Sequence, residues 1–173
     1  LGKPGVYVGP PRVSRDGGVA LAIKDGASQD MSVYDPQRDT TTRLTSGSGM
    51  FLNPVWSPDG RYVVFGSMGG GILWARADGA GQPQSLFSSN SLCPSSCFQW
   101  PTSVTWDGTR LLFEQVGGRG PQIWSVALSE DERGLKAGTP MPFLKTAYQD
   151  GGAAFSPDGR WIAYHSNKSG RFE

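Results

Sequence analysis

PVWSPDGRYVVFGS, residues 54–67, decides the fold of this chain. An apolar pair, Val55-Trp56, leads into Ser57-Pro58-Asp59-Gly60, and an unbroken apolar run, Tyr62-Val63-Val64-Phe65, leads out. Asp-Gly is a strong turn dipeptide, because Gly accepts φ > 0 and Asp bonds nearby backbone amides. Pro58 pre-sets φ for the same turn. A short run of β-branched and aromatic residues after a turn predicts a strand buried on both faces. Such strands belong to sheets stacked against other sheets.

The same core recurs three more times, as RVSRDGGVALA (12–22), VTWDGTRLLF (104–113) and AFSPDGRWIAY (154–164). Asp-Gly is common to all, at Asp16-Gly17, Asp59-Gly60, Asp107-Gly108 and Asp158-Gly159, with spacings of 43, 48 and 51 residues. A hydroxyl residue stands three before each Gly (Ser14, Ser57, Thr105, Ser156), preceded by Val13, Trp56, Val104 or Phe155. A Gly-containing bend follows each apolar run. Next come a third strand, beginning at Met31, Leu73 and Ile123, and a short fourth around 42–45, 84–87 and 142–145. Four antiparallel strands in a repeat of ~40–50 residues make a β-propeller blade.

The expected fold is therefore all-β: a partial β-propeller of four-stranded antiparallel blades, about three and a half of them in one domain, 1–173. The repeats run approximately 11–45, 52–87, 101–145 and 150–173, the last incomplete. Propellers close with about 4–8 blades, so both ends of the chain read as cut, and no signal peptide is visible. Ring closure then needs either the missing remainder of the propeller or a second copy in a homodimer, since two copies sum to seven blades.

Composition agrees and excludes other classes. The chain has 173 residues with 25 Gly and 13 Pro, about a fifth of the whole, which disfavours long helices. With 37% hydrophobic residues and six Trp it can build a core. The net charge of +1 gives no nucleic-acid footprint. No apolar stretch approaches the ~20 residues of a membrane span. The two cysteines, Cys93 and Cys97, lie in a Pro/Ser-rich loop. They read either as a small local disulfide of an oxidising compartment or as reduced loop thiols.

The S-P-D-G-R core followed by an apolar strand resembles the TolB-like, WD40-like β-propeller repeat, over Pro11 to Glu173. PVWSPDGRYVVFGS (54–67) and PFLKTAYQDGGAAFSPDGRWIAYHSNKSGRFE (142–173) are most similar to the propeller that follows the kinase and membrane segments of some bacterial serine/threonine protein kinases. Arg15 and Trp106 depart from that pattern, standing where it has Pro. The resemblance implies a periplasmic or otherwise extracytoplasmic module, kinase-linked or TolB-like, and a chain that continues after Glu173. Similar repeats also occur in the propellers that gate prolyl-oligopeptidase-like and tricorn-like peptidases.

Catalytic signatures are mostly absent. No G-x-S-x-G elbow, phosphate-binding glycine loop or kinase motif occurs, and His165 is the sole histidine, read as a surface loop residue. Zinc needs about four ligands. Calcium needs ~6–8 oxygens in one compact loop, whereas the aspartates recur one per repeat. No enzyme, cofactor or metal is expected. Trp56, Trp74, Trp124 and Trp161 fall at strand positions and are expected to pack between blades.

One further pattern bears on function. An aromatic precedes each hydroxyl residue by six to eight positions: Tyr7, Phe51, Phe98 and Tyr148, with Trp100 nearby. In the connections between blades these rings would gather at a channel mouth, where aromatic anchors suit a protein, peptide or glycan partner. The competing expectation is that each ring plugs the gap between adjacent blades.

Overall fold

The computed structural model describes residues 5–47, 49–69, 71–87, 97–117 and 120–173. Among them every regular element is a β-strand. The first sheet runs β1 (Val6–Val13), β2 (Val19–Asp25), β3 (Ser28–Asp35), β4 (Thr40–Arg43) in that order. The second runs β5 (Phe51–Trp56), β6 (Tyr62–Ser67), β7 (Gly71–Arg76), β8 (Gln84–Phe87). The third contains β9 (Phe98–Val104), β10 (Arg110–Gly117), β11 (Gly120–Asp131) and β12 (Gly134–Ala137), with β13 (Met141–Pro142) also on β11. The fourth pairs β14 (Asp150–Phe155) with β15 (Ile162–Ser166). All ladders within these sheets are antiparallel meanders, so each sheet is one blade of a partial propeller.

The unbroken apolar runs are explained by what lies on either side. In β6, Val63 and Phe65 face blade 1, packing with Ala20, Ala22 and Met31. The alternate residues Tyr62 and Val64 face blade 3, packing with Leu111, Phe113 and Val126. In β10, Leu112 turns the other way, towards Ile123 and Ala153 at the seam with blade 4. A strand side chain alternates between faces, so a strand between two neighbours must be apolar at successive positions. Phe65 and Phe113 are fully buried, each stabilising the fold by roughly 1.5–3 kcal/mol.

Three details differ from the sequence reading. The fourth strand of blade 3 is split: β12 pairs with the outer half of the 12-residue β11, and β13 with Trp124 and Ser125. The extra strand length carries Glu130 back over blade 2. Trp161 is 74% exposed and packs in no seam, because no further blade covers that side of blade 4 in the described structure. Trp56, Trp74 and Trp124 do lie in the seams. His165 belongs to β15 and meets Phe172 edge-on at 5.2 Å, so it is a strand residue.

Successive first strands, β1, β5, β9 and β14, neighbour one another and form the inner edge of the arc. Each bears an irregularity in its pairing, between Val8 and Arg12, at Leu52/Val55, opposite Leu112/Phe113 and at Gly151/Ala154. Bulges bend a strand and re-aim its side chains. The inner strands thus have two ends, one at the Asp-Gly turns and one at the aromatic positions.

Candidate functional site

At the turn end, one hydrogen-bond device is repeated. The hydroxyl of Ser57 donates to Asp59 (2.6 Å) and accepts from the Tyr62 N–H (2.9 Å). Thr105 does the same with Asp107 (2.7 Å) and Arg110 N–H (3.0 Å), and Ser156 with Asp158 and Trp161 N–H. The carboxylate then accepts the backbone N–H two residues on, at Arg61, Thr109 and Arg160. The glycines adopt φ of +91°, +72°, +74° and +69°, which a side chain would strain. Blade 1 has a shorter loop, with Ser14 N–H donating to Gly18 O, whereas Ser57 N–H reaches Tyr62 O.

These bonds favour the ionised carboxylates. The Thr105 hydroxyl, followed by the Thr109 N–H, holds Asp107 at about 2. Asp16 and Asp158 are lowered chiefly by Ser14 and Ser156. At Asp59 burial pushes upward, but the Ser57 hydroxyl and Arg61 together outweigh it. Arg61 also donates to Glu130 of blade 3 (2.6 Å), which accepts a 2.8 Å bond from the Tyr62 hydroxyl. This bridge between blades was invisible in the sequence, since Arg61 and Glu130 are 69 residues apart. The hydroxyls and carboxylates of the turns are therefore spent on their own backbone and seams, and their geometry is that of a clasp.

At the opposite end the five aromatics are placed differently from one another. The expectation that they occupy connections is corrected for four of them: Tyr7 lies in β1, Phe51 opens β5, and Phe98 and Trp100 lie in β9. Tyr148 precedes β14 by two residues. Phe51 packs against the blade 1–2 core and meets Phe65 edge-on at 5.6 Å. Trp100 stacks on Phe98 at 5.8 Å and lies over Gly66 of blade 2. A Cβ at Gly66 would stand 2.5 Å from both the Trp100 ring and the Gln99 carbonyl, so Gly permits this close approach. Tyr7, 49% exposed, lines an apolar hollow on the outer face of blade 1 with Leu21, Ile23 and Tyr34. Tyr148 is 41% exposed. Only Phe98 and Trp100 of the five stack on each other among the described residues.

Cys97 stands directly before β9 and is disulfide-bonded. Cys93, the other half of the cysteine expectation, lies outside the described residues. Among the described residues, no three His, Cys, Asp or Glu side chains gather as a metal would require. No helix of the described structure is long and apolar enough to cross a membrane.

No protein-family model and no curated protein matches the sequence. Solved structures do match the fold. A TolB-type protein from Agrobacterium tumefaciens superposes with a TM-score of 0.70 at 18% identity, covering 99% of this chain and 57% of that one. TolB from Acinetobacter baumannii gives 0.65 at 19% identity, over 91% of this chain and 38% of that one. The tricorn protease gives 0.55 at 16% identity, over 92% of this chain and 15% of that one. The chain thus spans little more than half of the first of these proteins and less of the others. Four stacked meander sheets, repeated Asp-Gly clasps and these superpositions lead to one structural conclusion: the chain is a partial β-propeller of the TolB-like fold.

Proposed function

We propose that this chain is a non-enzymatic propeller module that binds a protein, peptide or glycan. Its place would be the extracytoplasmic, periplasmic part of a kinase-linked or TolB-like bacterial protein. The carrying observation is the unequal placement of the aromatics. Phe51 and Trp100 are used in the seams, whereas Tyr148, two residues before β14, is exposed. Exposed aromatics backed by rigid strands are the usual anchors of a binding surface. The disulfide at Cys97 supports an oxidising compartment.

The test is a peptide and oligosaccharide array probed with the chain and two variants. Tyr148→Ser abolishes the strongest signal without moving the melting temperature, whereas Phe51→Ser lowers the melting temperature. Unchanged array binding by Tyr148→Ser overturns the reading. The second reading is the gating propeller of a prolyl-oligopeptidase-like or tricorn-like peptidase, favoured by the superposition on the tricorn protease. A hydrolase domain encoded beside the repeats decides for it.

Ring completion belongs to the same proposal. The hollow of blade 1 is apolar, and Trp161 and Tyr164 stand exposed on blade 4. Further blades or a second copy would cover these faces. Sedimentation as a monomer that unfolds cooperatively removes the homodimer.

A further inference from the structure

The two places where the repeat loses its Pro meet in space. Arg15 of blade 1 and Trp106 of blade 3 occupy the turn position that Pro58 and Pro157 hold in blades 2 and 4. The Arg15 guanidinium lies 3.0 Å from the centroid of the Trp106 ring. The pair stands over a cavity of about 260 Å³ at the turn end of the inner strands, to which all four blades contribute. Its walls are apolar: Val13, Trp56, Val104 and Phe155, with Pro58 and Pro157. Val13 and Trp106 are 68% and 62% exposed, so the mouth is open to solvent.

The polar inventory of this cavity is narrow. Ser14, Ser57, Thr105 and Ser156 line it, but each hydroxyl is committed to its own turn. The turn aspartates do not line it; Asp16 borders one neighbouring hollow, and Asp59 and Asp107 another. Among the described residues, Arg15 is the one charged residue lining it. Stacking engages the ring face and leaves the guanidinium N–H groups available, and a guanidinium fork matches a carboxylate with two parallel bonds. Arg15 makes no hydrogen bond or ion pair with any described residue. The volume lies just below the ~300–1,000 Å³ typical of a drug-sized ligand, so it suits one residue of a chain.

We propose that this cavity binds the C-terminal residue of a peptide whose last side chain is apolar. The side chain enters among Val13, Val104 and Phe155, and the terminal carboxylate pairs with Arg15 beside Trp106. This site lies at the end of the inner strands opposite Phe98 and Tyr148, and it stands or falls independently of the surface proposed there.

Calorimetric titration with acetyl-Gly-Gly-Phe, as the free acid and as the carboxamide, tests it. The acid binds saturably, and the amide binds at least about tenfold more weakly, because a charge-assisted pair is lost. The double variant Arg15→Pro, Trp106→Pro installs the residue that two sister turns already carry, and neither backbone N–H donates a bond in the turns. It keeps the wild-type melting curve and loses binding of the acid. Arg15→Gln, which alters no backbone, gives the same loss and covers the case in which the double variant unfolds. Equal binding of acid and amide, undiminished binding by Arg15→Gln, or no saturable heat with the acid overturns the proposal.

Discussion

The two ends of the inner strands obey opposite rules. At the turn end, four repeats carry one hydroxyl–carboxylate clasp with nearly the same bonds. At the other end, the aromatics at matching sequence positions have separate fates: Phe51 packed, Phe98 stacked on the nearby Trp100, Tyr7 on an outer face, Tyr148 exposed. The difference teaches that repetition in the sequence marks the parts that build a blade. Function has room only where the repeat varies or where its side chains are left unspent.

The largest break in that comparison is expected at Phe51, whose ring packs against the core of blades 1 and 2. Phe51→Ser removes a half-buried ring that meets Phe65 edge-on. The expected loss is about 2–3 kcal/mol, below the ~3–5 of a fully buried Phe. A denaturant melt checks it, and a loss under about 0.5 kcal/mol, the size of an ordinary surface change, would place Phe51 with the exposed rings.

A smaller effect is expected at the clasp. Ser57 is buried, donates to Asp59 and accepts the Tyr62 N–H, so Ser57→Ala leaves a donor without its acceptor at the start of β6. The cost is about 1–3 kcal/mol. Ser156→Ala, in an exposed copy of the same clasp, costs less, because water replaces the lost partner. Equal melting temperatures for the two variants would deny that burial sets the difference.

The fold was legible in the sequence because the clasp is local. Ser57, Asp59 and Gly60 act within a few residues, and the alternation in Tyr62 to Phe65 reports two buried faces without saying which neighbours supply them. The placement of the aromatics was not legible. Whether a ring at Phe51 or Tyr148 packs depends on the strand opposite it, here Phe65 for the first. The bridge from Arg61 to Glu130 was hidden for a similar reason, since it needs the elongated β11 to return over blade 2. The Arg15–Trp106 pair left a trace, as two breaks in the Pro pattern, but only the fold brings those breaks together.

Acid sharpens the contrast from the turn side. Asp107 titrates at about 2 in the folded chain because Thr105 and the Thr109 N–H bind its ionised form. In the unfolded chain an Asp titrates near ~3.9. A depressed folded value means that the contribution is complete above the unfolded value and fades as pH falls towards the folded one. Asp107→Asn therefore melts below wild type at about pH 7, and the gap closes as the pH approaches ~2. A gap that persists in acid would mean that the side chain acts by shape and not by charge.

The smallest effect on stability should fall on Tyr148, the residue on which the proposed binding surface depends most. Tyr148 is 41% exposed, stands outside the three packed seams and precedes β14 by two residues. Its backbone N–H is held by the Thr146 hydroxyl, a bond that any side chain at 148 preserves. Tyr148→Ser should then shift stability by no more than about 0.5 kcal/mol, against the larger loss at Phe51. The two positions share the repeat's aromatic and differ in whether a neighbouring blade uses it. A double variant makes the argument quantitative: with no shared contact the two losses add, within roughly 0.3–0.5 kcal/mol. Additivity frees Tyr148 from any part in the seams and leaves an external partner as the reason for an aromatic there. A coupling of 1 kcal/mol or so would instead tie its ring to the core and move the whole aromatic series to the structural side.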